Sequence, residues 1–256
     1  MEAITDRYIT EYKPIGYTTK DIVDYVREKY KIDKGEKVGT YGKLDPLARG
    51  EMLFTVGEDC KLLKEIHDLN KVYEFELVVG ISTDTYEPMG IIREMNTDYD
   101  IKQTYDKLNE IINKLNGKEL EQEFPVYSAY KIRYNGEVKP LWYWEKMGKI
   151  KEIKIPSKKI KIHKIKKISD KVIYLQEYIN EVIDDINKVD KSNDFRQDII
   201  IEKWKEYYKR EVKLLIIKIE IDVSSGTYVR GIADYIGKII GIPCHANKIT
   251  RIKLYK

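Results

Sequence analysis

The alternation of Leu215, Ile217, Ile219, Ile221 and Val223 with Lys218, Glu220 and Asp222 constrains this chain more than any other feature. A period of two sends successive side chains to opposite faces, so the segment reads as a strand with one buried face. It runs into a turn at Ser224-Ser225-Gly226 and then into a helix over 229–240, closed by Gly241. Other segments carry the helical period. Over 18–30, Thr18 can cap a helix with Asp21 in its first turn, and Ile22, Val23, Val26 and Tyr30 form one stripe. Leu62, Leu63, Ile66 and Leu69 predict a helix over 58–69, and 98–115 predicts a long one stopped by Asn116-Gly117. The segment 72–81 is strand-like with a bend at Gly80, and 150–168 alternates lysine with isoleucine as half-buried strands do. One or two helices follow over 178–208, with a polar break at 191–194. The elements interleave without βαβ repeats, which implies an α+β fold with a mixed sheet rather than a doubly wound parallel one.

The 256 residues suffice for one large domain, and neither a repeat nor an interdomain linker interrupts them. A net charge of +4 is too small to argue for nucleic acid by itself, but its distribution is uneven. The stretch 146–167 carries ten lysines against one acid, whereas 177–198 carries seven acids against three bases. The lysine strip fits either a solvated face over an isoleucine core or a phosphate-binding surface. Cys60 and Cys244 match neither a disulfide framework nor a zinc site, and His67, His163 and His245 are too scattered to form a metal cluster. No apolar run reaches membrane length and no signal peptide is evident, so an intracellular protein, cytoplasmic or nuclear, with reduced thiols is expected.

One carboxylate has unusual surroundings. In Gly39-Thr40-Tyr41-Gly42-Lys43-Leu44-Asp45-Pro46-Leu47-Ala48-Arg49-Gly50, proline pushes Asp45 out of the helical region and sets it at the lip of a turn. Lys43 and Arg49 flank it and would favour its ionised form. Taken alone, these residues favour a surface turn with a solvated acid.

Several segments, read in order, resemble the signature of the TruB family of tRNA pseudouridine synthases. Lys13-Pro14-Ile15-Gly16-Tyr17-Thr18-Thr19 is similar to the family's KPxGxTS opening, and the Asp45 stretch to its GxLDPLAxG motif. Asn70-Lys71-Val72-Tyr73-Glu74 resembles DKxYE, and Thr83-Asp84-Thr85 through Gly90 resembles TDTxDxxG. Phe124-Pro125-Val126-Tyr127-Ser128-Ala129-Tyr130-Lys131 resembles PPxYSAxK, and Lys139-Pro140-Leu141 continues it in the manner of the family's eukaryotic branch. Ser225-Gly226-Thr227-Tyr228-Val229-Arg230 with Asp234 and Gly237 resembles SxGTYxRxLxxDxG, and Lys248-Ile249-Thr250-Arg251 resembles KLTR.

The resemblance implies a pseudouridine synthase fold with a mainly antiparallel central sheet flanked by helices, in a single catalytic domain over 1–256. It implies a cofactor-free reaction without redox change, with Asp45 as the essential carboxylate at the ribose, by attack or by proton abstraction. Arg230 would pair with Asp45, Tyr228 would line the pocket and move a proton at C5, Tyr73 would stack on the flipped uridine, and Ile249 would form a pocket wall. Apart from that resemblance, Tyr73 reads as a half-buried strand tyrosine, Arg230 and Tyr228 as a packed helix start, and Ile249 as core. Lys13 and Lys131 would contact phosphate. Thr40 stands where bacterial members usually carry histidine, in the segment near the flipped base. The expected partner is the T arm of tRNA, met by a monomer without a guide RNA. Many relatives append a PUA-type domain, for which the five residues after Arg251 leave no room. The acidic helical insertion at about 170–210 has no counterpart in the compact pattern. An RNA-binding protein or tRNA-folding chaperone of weak activity, and an enzyme acting on T-arm-like hairpins of mRNA, are the competing readings.

Overall fold

An eight-stranded sheet runs through the computed structural model, which describes residues 7–64, 66 and 68–256. In chain order the first strands are β1 (Ile9–Lys13), β2 (Val38–Tyr41), β3 (Arg49–Val56) and β4 (Asn70–Val79). Next come β5 (Ile81–Thr83) and β6 (Ile92–Met95), which form a separate two-stranded ribbon, and then β7 (Glu119–Glu123). A second ribbon pairs β8 (Lys131–Tyr134) with β9 (Glu137–Pro140). The long strands β10 (Ser157–Tyr174), β11 (Lys213–Val223) and β12 (Cys244–Tyr255) complete the set. The sheet order is β1-β3-β12-β4-β11-β10-β7, with β2 also on β3. The β3–β12 pairing is parallel and the others are antiparallel, as expected for a mixed, mainly antiparallel sheet.

The helices are α1 (Thr19–Lys29), α2 (Ile101–Leu115), α3 (Leu141–Lys146), α4 (Leu175–Asn187), α5 (Gln197–Lys205) and α6 (Val229–Ile240). Thr18 caps α1 in a capping box with Asp21, and Gly241 closes α6 in a left-handed conformation. Leu108, Ile112, Ile232 and Ile236 of α2 and α6 pack with Phe75, Leu77, Ile217 and Ile219 in the main core. On the other face, Tyr178, Ile179, Ile200 and Trp204 of α4 and α5 pack with Val78, Leu214 and Ile216. Beyond those helices that face is ionic: Lys218 pairs with Glu74 at 2.6 Å, Lys166 with Glu220 at 2.8 Å and Lys171 with Glu76 at 3.3 Å.

Three readings change. The 58–69 segment is a 3₁₀ stretch, Gly57–Lys64, followed by a turn at Ile66. Leu63, Ile66 and Leu69 are spaced by three, which the three-residue turn satisfies as well as an α-helix does. His67 lies outside the described residues. The lysine–isoleucine strand begins at Ser157, after a 3₁₀ turn at Ile150–Glu152 and Pro156. Tyr30 leaves the apolar stripe and gives its hydroxyl to Glu11 at 2.7 Å. Among the described residues, no helix is long and apolar enough to cross a membrane.

The site lies where β3 starts beside β12. Gly50 has φ +128°, and a Cβ there would sit 2.2 Å from the Arg251 carbonyl oxygen, so only glycine lets the two strands meet. Register shifts on either side of Thr250 and Arg251, with Lys248 at φ 49°, bend β12 at this point.

Candidate active site

Asp45 opens a turn closed by the Ala48 N–H on the Asp45 carbonyl at 3.0 Å, and the buried side chains of Leu44 and Leu47 anchor it on both sides. Beneath the turn, the Lys13 ammonium donates to the carbonyls of Ala48 (2.6 Å), Pro14 (3.1 Å) and Pro46 (3.3 Å). Lys13 is fully buried, so the expected phosphate contact does not occur; its amine is an internal strut of the loop. Burial pushes it down to about 8, against the attraction of Asp45 and Glu87. The flanking cations do not meet Asp45 as the sequence suggested. Arg49 turns outward to the Thr250 hydroxyl at 3.0 Å, and Lys43 is exposed on the rim.

The cation that holds Asp45 is Arg230, from the first turn of α6. Gln122 of β7 fixes the approach to that helix: its amide accepts from the Tyr228 N–H at 2.8 Å and donates to the Tyr228 carbonyl at 3.0 Å. Arg230 Nε lies 2.8 Å from one Asp45 oxygen, close enough for an ion pair though not hydrogen-bonded to it, and Nη2 donates to the other oxygen at 3.2 Å. Two backbone carbonyls aim the guanidinium: Nη1 donates to Thr85 at 2.6 Å and Nη2 to Tyr127 at 3.2 Å. Burial opposes the charge of Arg230, but Asp45 and Glu87 outweigh it and keep the guanidinium ionised. Asp45 itself keeps 38% of its side chain accessible, facing the cleft.

That cleft has a volume of about 1340 Å³. Tyr73 on β4 lies in register between Ile221 and Arg251, and it lines the cleft with Tyr228 and Ile249. Tyr228 meets Phe124 edge-on at 5.9 Å, and Phe124 stacks on Tyr130 at 3.8 Å. Thr40 is not among the lining residues, whereas Tyr41 is. The two are neighbours on β2 and point to opposite faces, and the sequence did not disclose which faces inward. Lys131, exposed on β8, is also absent from the lining. Of the lysine strip, Lys146 and Lys158 reach the cleft.

Three lining residues went unread as site residues. Arg251 is buried, gives Nε to the Glu51 carbonyl at 2.7 Å, and leaves Nη1 without a hydrogen-bond partner. Lys71 donates to the Leu69 carbonyl at 2.7 Å and the Tyr41 hydroxyl at 3.0 Å, and burial together with Arg251 pushes it down to about 7. Glu87 is pushed up to about 8, by burial first and then by Asp45, against Arg230 and Lys13. Its signal was the second acid of the 83–90 turn. Among the described residues, no group of three or more His, Cys, Asp or Glu is placed to hold a metal ion.

A family described as TruB family pseudouridylate synthase (N terminal domain) matches residues 27–179. The tRNA pseudouridine synthase B of Staphylococcus saprophyticus is 29% identical over 240 residues, covering 94% of this chain and 63% of that protein. The protein of the same name from Clostridioides difficile is 30% identical over 251 residues, covering 96% and 64%. That of Thermotoga maritima is 37% identical over 157 residues, covering 61% and 47%. The chain thus spans between about half and two-thirds of the length of these relatives. Among solved structures, a chain of a Cbf5-Nop10-Gar1 complex superposes with a TM-score of 0.55 at 15% identity, over 96% of this chain and 48% of that one, which shows a shared fold.

Proposed function

This chain belongs to the TruB family of pseudouridylate synthases, and on that premise we propose that it isomerises a uridine of tRNA, at position 55 in the T loop, to pseudouridine. The observation that carries the reading is the Arg230–Asp45 pair at the base of a cleft walled by Tyr73, Tyr228 and Ile249. In the reaction the C1′–N1 bond breaks, the base turns, and C1′ bonds to C5. C5 loses a proton and N1 gains one, so atoms and electrons balance within the nucleotide. Asp45 works at the ribose, by attack or by proton abstraction; both need the carboxylate, which the guanidinium orients. Tyr73 offers its ring to the extruded base, a contact worth about 1–3 kcal/mol against the cost of unstacking. Tyr228 lines the same cleft, and we assign it a part in proton transfer at C5.

The partner is the T arm of tRNA, met by one copy of the chain without a guide RNA. Exposed Tyr130 and Trp142 on the cleft rim suit splayed bases, and Lys43, Lys146 and Lys158 suit phosphates. The test is incubation with an unmodified tRNA transcript followed by position-resolved pseudouridine mapping. Product at the T-loop uridine is expected; product elsewhere, or none, contradicts the reading. Competition between the tRNA and a T-arm-like mRNA hairpin tests the choice of RNA, with preference for tRNA expected.

A further inference from the structure

The helices between β10 and β11 are not a solvated appendage. They touch three segments that carry the site. Gly16, in the loop beneath Asp45, has φ +91°, and a Cβ there would lie 2.4 Å from the Lys188 carbonyl at the end of α4. Lys248, next to Ile249, donates to Asp185 of α4 at 2.6 Å. His245 gives its Nδ1 proton to the Ile81 carbonyl at 2.8 Å and accepts the Tyr178 hydroxyl of α4 at 2.5 Å; the carbonyl can only accept, which fixes the tautomer.

The third segment is the 83–91 turn with Tyr127, beside the Asp45–Arg230 pair, where Arg196 also lines the cleft. Arg196, in the linker between α4 and α5, bonds Asp84 at 2.8 Å, and its guanidinium covers the Tyr127 ring at 4.4 Å. Tyr127 provides one of the two carbonyls that aim Arg230, and Thr85, the residue after Asp84, provides the other. Asp84 closes its own turn by accepting the Ile91 N–H at 2.8 Å, and Trp204 Nε1 of α5 donates to the carbonyls of Pro88 and Gly90, each at 3.2 Å. The 83–91 turn is therefore gripped at both ends by the insertion. Asp194 and Arg196 hold left-handed backbone, with φ of 46° and 64°, which non-glycine residues keep only where the surroundings enforce it.

We propose that Arg196 is a positioning residue for the Asp45–Arg230 pair, and that the α4–α5 insertion serves catalysis by clamping the 83–91 turn and Tyr127. The assignment rests on the synthase reading above. Arg196→Ala lowers the single-turnover rate on tRNA by about tenfold to a hundredfold, the scale on which small misplacements cost rate, while tRNA affinity holds. Arg196→Lys, which keeps the charge but loses the planar fork, falls between the two. An Asp84→Asn/Arg196→Ala double variant is no slower than Arg196→Ala, because both substitutions act through one contact. Hydrogen exchange at Ile91 speeds up in Arg196→Ala while β4 and β11 keep their protection. A wild-type rate in Arg196→Ala, a loss confined to tRNA affinity, or unchanged exchange at Ile91 overturns the proposal. Should Arg196→Ala not fold, the rate and exchange of Arg196→Lys decide by the same criteria. If the wild-type protein makes no pseudouridine, the synthase reading falls, and hydrogen exchange still judges the clamp.

Discussion

Asp45 is held by one residue that reaches it from far along the chain, and the arrangement sets what substitution should do. Arg230→Lys keeps a positive charge but cannot span both Asp45 oxygens and both carbonyls. Losing one charge-assisted hydrogen bond costs about 1.5–3 kcal/mol, so single-turnover pseudouridine formation should slow by about tenfold to a hundredfold. Glu87 yields a pH prediction. The folded chain keeps its proton up to about 8, where the usual value is 4.5, so the native state binds the extra proton between those limits. Its contribution to stability is complete below the lower value and is lost as pH rises through the upper one. The melting temperature of Glu87→Gln minus that of wild type should therefore climb between about pH 5 and pH 8 and then level; a flat difference contradicts the assignment. Sequence order made Asp45, Tyr73, Tyr228 and Arg230 legible as residues in one site. Lys13 was not legible as a strut, because burial cannot be read from a lysine and a proline motif. Arg251 was hidden in the same way, since its neighbours across β3 and β4 lie about two hundred positions away in sequence.

At the level of elements, periodicity carried most of the fold. The β11 alternation, the capped α1 and the Gly241 stop of α6 are local signals, and each element stands where the pattern placed it. The 3₁₀ stretch escaped because a spacing of three fits two helix types. What α4 and α5 pack against was also beyond local pattern: their apolar stripes announce helices, while the partners, Val78 and Ile216, come from distant strands. The seam is testable at Tyr178 and His245. Tyr178→Phe keeps the ring and removes the hydroxyl, leaving the buried His245 Nε2 without its donor. It should cost about 1–3 kcal/mol of unfolding free energy by denaturant titration, and an unchanged midpoint would show that α4 and α5 are held by packing alone.

Across the whole molecule, charge is sorted by position. Among the lysines of 146–167, Lys166 pairs with Glu220 on the ionic sheet face, Lys167 pairs with Asp170 of its own strand, and Lys146 and Lys158 line the cleft. Composition could not separate these places, because strand alternation and the path of the loop before β10 decide which lysines reach the cleft. The sheet brings the Asp45 loop, the bend of β12 and the start of α6 to one place, and the account stands on that convergence. Its most direct test is a single-turnover assay on one unmodified tRNA, with wild type and Asp45→Asn compared for binding and for pseudouridine at the T-loop uridine. Wild type should convert that uridine, and Asp45→Asn should bind the tRNA comparably and form no product. Pseudouridine made by Asp45→Asn at the wild-type rate would contradict the account.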